Sequence, residues 1–318
     1  MLWSELTKSR QKIMGRWLIL GCFLPTLVAS VLTLTVDEDN YQSPIVSAPQ
    51  FAFRDATIAD IDGIATVHYE AFRQSEASKY IYQFADDVDS GYTWTCERDA
   101  LLEVFGISKY KFKVLTVPEP KTSLSRANDG IEEKVVSISV WAYEADADAS
   151  DSDGQYFATR CAGVMANFPS LCVNAEENHH VDVMSEVNEQ FNCSAHLNAN
   201  MTRAVHLQAA VKTAEEESLV KPFARRFKLE LLATHPHWDG NGFAAQHLHW
   251  GKDELARLNY EIKDAEHQQK NQIPMVLVGT PAGYPLYIAE GFEGVKNISI
   301  ERLDGKGILW WEAMVYKR

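Results

Sequence analysis

The sequence predicts an α+β fold, and three stretches carry that expectation. Tyr110–Val117 and Lys134–Tyr143 are alternating or β-branched and aromatic, as strands require. Lys228–Thr234 reads as a further strand, and it leads through a glycine-containing loop into a helix with one apolar stripe. Residues 294–302 and 308–316, with Asp304-Gly305 between them, read as a closing hairpin.

The elements follow in order. Residues 17–36 carry no charge, and twenty residues is about one bilayer-spanning helix. Lys8, Arg10, Lys12 and Arg16 precede the stretch, and Asp37, Glu38 and Asp39 follow it. Three readings stay open here. One is a single membrane anchor with its basic flank on the cytoplasmic side. Another is a signal peptide leaving at Val28-Ala29-Ser30. The third is a misassigned gene start ahead of a cytoplasmic domain. Asn192-Cys-Ser, Asn200-Met-Thr and Asn297-Ile-Ser are glycosylation tripeptides that suit a lumenal domain.

Residues 37–50 read as a polar linker, so 1–50 precede one domain over 51–318. Phe51–Arg54 is a short strand. Thr57 is placed as an N-cap with Asp60 in the capping-box slot, and Ile61, Ile64, Ala65, Val67 and His68 follow at helical spacing. Residues 91–107 predict a second helix. Pro118 and Pro120 end the strand that begins at Tyr110, and 121–133 read as a hairpin loop. Residues 144–154 are a solvated acidic run, because a calcium loop with Gly154 in its sixth place would begin at Ala149 and end at Arg160. The region at about 144–226 reads as an insertion between strands, with weak helical signals near 180–200 and 204–219. After Lys228–Thr234 a helix runs to about Asn259, its stripe Ala244, Leu248, Gly251, Leu255 and Leu258. Pro274–Gly279 is an apolar strand, and Pro281–Glu290 a short helix ended by Gly291.

Composition narrows the function classes. The 318 residues are 46% hydrophobic and 23% charged, which excludes wholesale disorder and a polytopic membrane protein. A net charge of -14 argues against wrapping nucleic acid, so an anionic ligand needs a local device such as a helix N-terminus. Five cysteines without a C-x-x-C argue against a zinc ribbon, and one disulfide in the central region stays open.

The chemistry concentrates in Asp239-Gly-Asn-Gly242-Phe-Ala-Ala245, between strand and helix. Glycines let successive N–H groups converge, and the helix start adds its own N–H groups and partial positive charge. Gly240-x-Gly242-x-x-Ala245 also fits a dinucleotide fingerprint. The acidic residue that fingerprint needs should end a strand about 20 residues on, whereas Asp253, Glu254, Glu261 and Asp264 fall in or just after the helix.

Leu231-Leu-Ala-Thr-His-Pro-His-Trp-Asp-Gly-Asn-Gly-Phe-Ala-Ala-Gln-His-Leu248 resembles motif A of the GNAT (Gcn5-related) N-acetyltransferase superfamily. Pro281-Ala-Gly-Tyr-Pro-Leu-Tyr-Ile-Ala-Glu-Gly-Phe292 resembles the motif B that follows, in phrasing most like the fungal members. Phe53–Asp62 is similar to the opening strand and helix. The resemblance implies a GNAT-like mixed, mostly antiparallel sheet flanked by helices. It is splayed where strands 228–234 and 274–279 run parallel, and acetyl-CoA lies in the splay as cosubstrate. It implies acetyl transfer to an amine of a small molecule or protein, with no metal.

By the same resemblance, Leu232, Ala233 and Thr234 offer main-chain groups to the pantetheine arm. Asp239, Gly240, Asn241, Gly242, Phe243, Ala244 and Ala245 surround the pyrophosphate. Tyr287 stands where the family places the acid that protonates the leaving thiolate, with Tyr284 as its rival. Asp239 replaces the usual Gln or Arg, and Asn241 stands where a basic residue is common. A carboxylate there weakens anion binding unless it caps the helix. Glu230 is the candidate general base, against a solvent-facing strand residue as the plainer reading; His235 and His237 are further candidates. His247 and His249 sit two apart on a helix and point apart, so they make no metal pair. A weakly active or inactive domain acting through its insertion is the alternative function.

Overall fold

The computed structural model describes residues 51–119, 133–145, 191–266 and 272–317. The segment 17–36, the loop at 121–132 and most of the acidic run lie outside the described residues. Among the described residues no helix is long and apolar enough to cross a membrane.

Seven strands form one sheet: β1 (Ala52–Asp55), β2 (Tyr110–Pro118), β3 (Glu133–Ala145), β4 (Arg225–Thr234), β5 (Met275–Gly279), β6 (Glu293–Glu301) and β7 (Ile308–Tyr316). Their order is β1-β2-β3-β4-β5-β7-β6, and every neighbouring pair is antiparallel except β4 and β5. This is the mixed, mostly antiparallel α+β sheet expected.

The first strand and helix form as their residues dictate. Asp60 accepts the Thr57 N–H at 2.7 Å, the reciprocal half of a capping box, and Arg54 grips the same carboxylate with two bonds of 2.8 Å. α1 (Ile61–Phe72) then lays Ile64, Ala65 and Val67 on the sheet beside Leu101 and Val104 of α3 (Tyr92–Phe105). α2 (Glu76–Ile81) lies between them in sequence, started by Ser75, whose hydroxyl accepts the Ser78 N–H. α4 (Met201–Glu215), capped by Asn200 and continued by a π-helical turn at Glu216–Val220, packs Leu207 and Val211 with Tyr80 of α2 against Val276, Trp311 and Val315.

The opposite face is covered by α5 (Phe243–Glu266) and α6 (Tyr284–Ala289) over Trp141, Phe227, Leu277 and Met314. α5 lies close because Gly251 has no side chain: a Cβ there would stand 2.3 Å from Cη2 of Trp141. Cys96 of α3 and Cys193 form a disulfide across 97 residues. The Tyr92 hydroxyl donates to the Asn192 carbonyl at 2.9 Å beside it. This segment ahead of α4 is therefore stitched to α3.

Candidate functional site

β4 and β5 pair only over Phe227–Met275, Lys228–Val276 and Leu229–Leu277. The reason lies on the other edge of β4. Trp141 pairs with Leu229 and Val140 with Leu231, so Glu230 is an extra residue, a bulge that bends the strand. Beyond it the two parallel strands separate.

The bulge also sets which main-chain groups face the gap. The His235 N–H bonds the Val136 carbonyl at 2.9 Å. By the alternation of an antiparallel ladder, Ala233 and Leu231 also turn toward β3. The N–H and carbonyl of Leu232 and Thr234 therefore point into the gap. Ala233 departs from the expectation: its main chain faces β3, where its carbonyl also accepts from the Ser137 hydroxyl at 3.0 Å.

At the open end of the gap the chain turns through Asp239–Gly242. Gly240 and Gly242 have φ of 79° and 76°, a region that glycine adopts without strain, and a Cβ on either would meet nothing within 4 Å. Asn241 braces the loop by donating to the Trp238 carbonyl at 2.9 Å. Phe243 anchors the helix start by burial beside Leu115, Val117 and Val136, with Trp238 packed against the cluster. The first intrahelical bond of α5 runs from the Gln246 N–H to the Gly242 carbonyl, at 3.2 Å. The N–H groups of Phe243, Ala244 and Ala245 have no acceptor among the described residues, and they open at the positive end of a 24-residue helix. Donors of this kind suit a phosphate or pyrophosphate.

Asp239 does not cap the helix. It is exposed, and its carboxylate accepts no hydrogen bond among the described residues. Gly242 stands directly before the helix instead, and the Asn241 side chain takes the loop carbonyls.

His235 is nine-tenths buried, and its Nδ1 accepts the His237 N–H at 3.2 Å. Burial, then the neighbouring His237, pushes its pKa down. Its Nδ1 is thus occupied, leaving Nε2 as the ring's other nitrogen. His247 is fully buried against the Ser139 hydroxyl, while His249 is exposed near Glu290. No group of three His, Cys, Asp or Glu residues suited to a metal occurs among the described residues.

Tyr287 lies in α6 with its ring wedged over Gly279 and Gly283, where added Cβ atoms would come within 3.1 and 2.7 Å of it. Its hydroxyl has no hydrogen-bond partner among the described residues. Burial pushes the phenol pKa up, so the group keeps its proton. Tyr284 turns elsewhere, edge-on to Trp310 at 5.9 Å.

Glu230 is not solvent-facing: its side chain is fully buried, with Oε2 3.1 Å from Nζ of Lys228. Lys228 is also paired with Glu215 at the end of α4. Glu230 thus lies on the α4 side of the sheet at the bulge, and Tyr287 on the α5–α6 side at the end of β5. Sequence reasoning missed this buried triad. The signal was there in Lys228 and Glu230, two charges alternating through an otherwise apolar strand.

No protein-family model matches the chain, and no curated protein matches it in sequence. Solved structures similar to it include the apo form of an agmatine N-acetyltransferase mutant, at 9% identity and a TM-score of 0.46 over 84% of this chain and 98% of that one. A polyamine N-acetyltransferase of Drosophila melanogaster gives 9% identity and 0.46 over 85% and 100%. Arabidopsis thaliana NAA60 in complex with acetyl-CoA gives 10% and 0.36 over 84% and 98%. The likeness is partial in each case.

Proposed function

We propose that this chain is an acetyl-CoA-dependent N-acetyltransferase of the GNAT type, acting on an amine of a small molecule or protein. One observation carries the reading. A glycine turn and an unpartnered helix start stand at the open end of a parallel strand pair that a bulge forces apart. An acidic chain gains an anion site there without a basic side chain.

Acetyl-CoA, when bound, supplies the acyl thioester. The N–H groups of Phe243, Ala244 and Ala245, with the turn at Gly240–Gly242, would hold its pyrophosphate. The main chain of Leu232 and Thr234 would hold the pantetheine arm. A strand N–H in the gap polarises the reacting carbonyl. Tyr287 would give its proton to the leaving sulfur; burial keeps the phenol protonated but also makes it a weaker acid, so the role rests on its place in α6 and not on its pKa. Glu230 remains the candidate base, but with its carboxylate buried in the pair with Lys228 it would take the acceptor amine's proton through a bridging water and not by contact. Asp239, exposed beside the donors, lowers the affinity for the anion without closing the turn.

The test is thermal unfolding of the full chain with and without acetyl-CoA. At about 100 times its dissociation constant the ligand adds roughly 2.7 kcal/mol. The gain should disappear in Gly242→Val, whose branched side chain is strained at positive φ and stands before the helix donors. Release of free thiol with a panel of amines then identifies the acceptor. No stabilisation by millimolar acetyl-CoA would defeat the proposal.

A further inference from the structure

The outer face of the β6–β7 hairpin carries a second feature. Strand register places Asn297 opposite Glu312, Ser299 opposite Trp310 and Glu301 opposite Ile308, so these side chains share one face. The other face of the hairpin is spent on the core, through Ile298, Ile300 and Trp311. An outward face at a sheet edge needs only polar residues. This one instead holds Trp310 and Ile308, the latter 61% exposed.

Asn297, Ser299, Ile308, Trp310 and Glu312, with Tyr284, line an open depression of about 450 Å³ on this face. Glu312 is its one charged lining group. Asn297 Nδ2 donates to Glu312 Oε2 at 3.0 Å, which holds the carboxylate in place. The other oxygen lies over Gly294, where a Cβ would come within 2.5 Å of it. Glu254 and Glu290 are matched by Lys111 with Arg257 and by Lys252 respectively. Glu312 has no cation within ion-pair distance among the described residues, nor does Glu301 on the same face.

A fixed carboxylate beside two aromatic rings is complementary to a positive charge on an apolar body. The carboxylate supplies Coulombic attraction, and the ring faces supply cation–π attraction. An anion is repelled by the same groups. We propose that this depression binds an organic cation, an ammonium carried on an aromatic or aliphatic body, and that it does so without acetyl-CoA. The inference does not rest on the transferase reading.

The probe is benzyltrimethylammonium, which no acyl transfer can consume. The full chain, labelled with nitrogen-15, is titrated without acetyl-CoA, following the Trp310 indole N–H signal identified by its loss in W310F. The expected result is a saturable shift of that signal. In Glu312→Gln the affinity should fall about tenfold, the scale of a half-buried cation contact. Phenylacetate, the anionic counterpart, should leave the signal in place. An equal response to phenylacetate, undiminished binding in Glu312→Gln, or no saturable shift would overturn the proposal. The phenylacetate comparison uses the unaltered chain and stands whatever the variant does to folding.

Discussion

Tyr287→Phe separates the proposed acid role from stability at one atom. The ring is held by Gly279, Gly283 and an edge-on contact with Phe292 at 5.8 Å, and phenylalanine keeps all of these. The hydroxyl itself has no hydrogen-bond partner among the described residues. Burying a hydroxyl unbonded costs about 1–3 kcal/mol in protein mutational data, but this oxygen is not among the fully closed-off unpaired atoms and keeps some access to water. Its removal is therefore neutral or stabilising, by up to about 1 kcal/mol once some hydration at the gap is allowed for. Loss of a general acid lowers turnover about 10²–10⁴-fold. The two effects point in opposite directions.

The pH dependence sharpens the test. The folded phenol pKa is raised above its unfolded value of about 10. The stability it contributes is present below that value and declines as pH rises past it. Tyr287→Phe removes that decline. Urea denaturation at pH 7 and above pH 10, with acetyl transfer followed by thiol release, reads both effects. Unchanged turnover would refute the acid role. A loss of more than about 2 kcal/mol at pH 7 would refute the unbonded hydroxyl, since that exceeds one ordinary hydrogen bond.

Other expectations follow from the packing. Gly251→Ala gains about 1 kcal/mol of helix propensity but forces a Cβ against Trp141, and overpacking of this kind costs about 1–3 kcal/mol, so denaturant midpoints should fall. Reducing Cys96–Cys193, or replacing both with serine, should lower stability by about 2–5 kcal/mol in thermal unfolding, with two fewer thiols titrating in the oxidised chain than in the reduced one. His247 is held neutral by burial, its pKa pushed down to about 3. Its contribution is complete above the unfolded value near 6.5 and declines as pH falls below it, by up to about 1.4 kcal/mol per unit. His247→Phe should flatten the acid limb of a stability profile between pH 6 and 4, on the order of one proton.

Much of the architecture was legible because it rests on local pattern. The alternation of Tyr110–Val117, the Thr57–Asp60 cap and the Leu248–Leu255 stripe each became the element they announce. α2 was not legible: six residues carry too little periodicity, and its formation depends on the Ser75 cap and on Tyr80 packing with α4. The glycine turn was placed from sequence, but the direction of each main-chain group was not. A single bulge at Glu230 reverses the alternation of β4, so Leu232 and Thr234 face the gap while Ala233 does not. The partner of Cys96 and the burial of Glu230 beside Lys228 are likewise long-range facts, fixed by which segments the fold brings together.

The donors at the start of α5 belong to the main chain, and that has a consequence for genetics. Truncating side chains one by one to alanine would pass over them. Ala244 and Ala245 already are alanine, and at Gly240 and Gly242 the scan adds an atom where it is meant to take one away. Such a survey would report the supporting residues, Phe243 and Asn241, as the important ones and leave the outward main-chain donors silent. Variation in a population would be filtered in the same way: the loop can change most of its side chains and keep its chemistry, but it cannot lose the backbone path that two glycines permit.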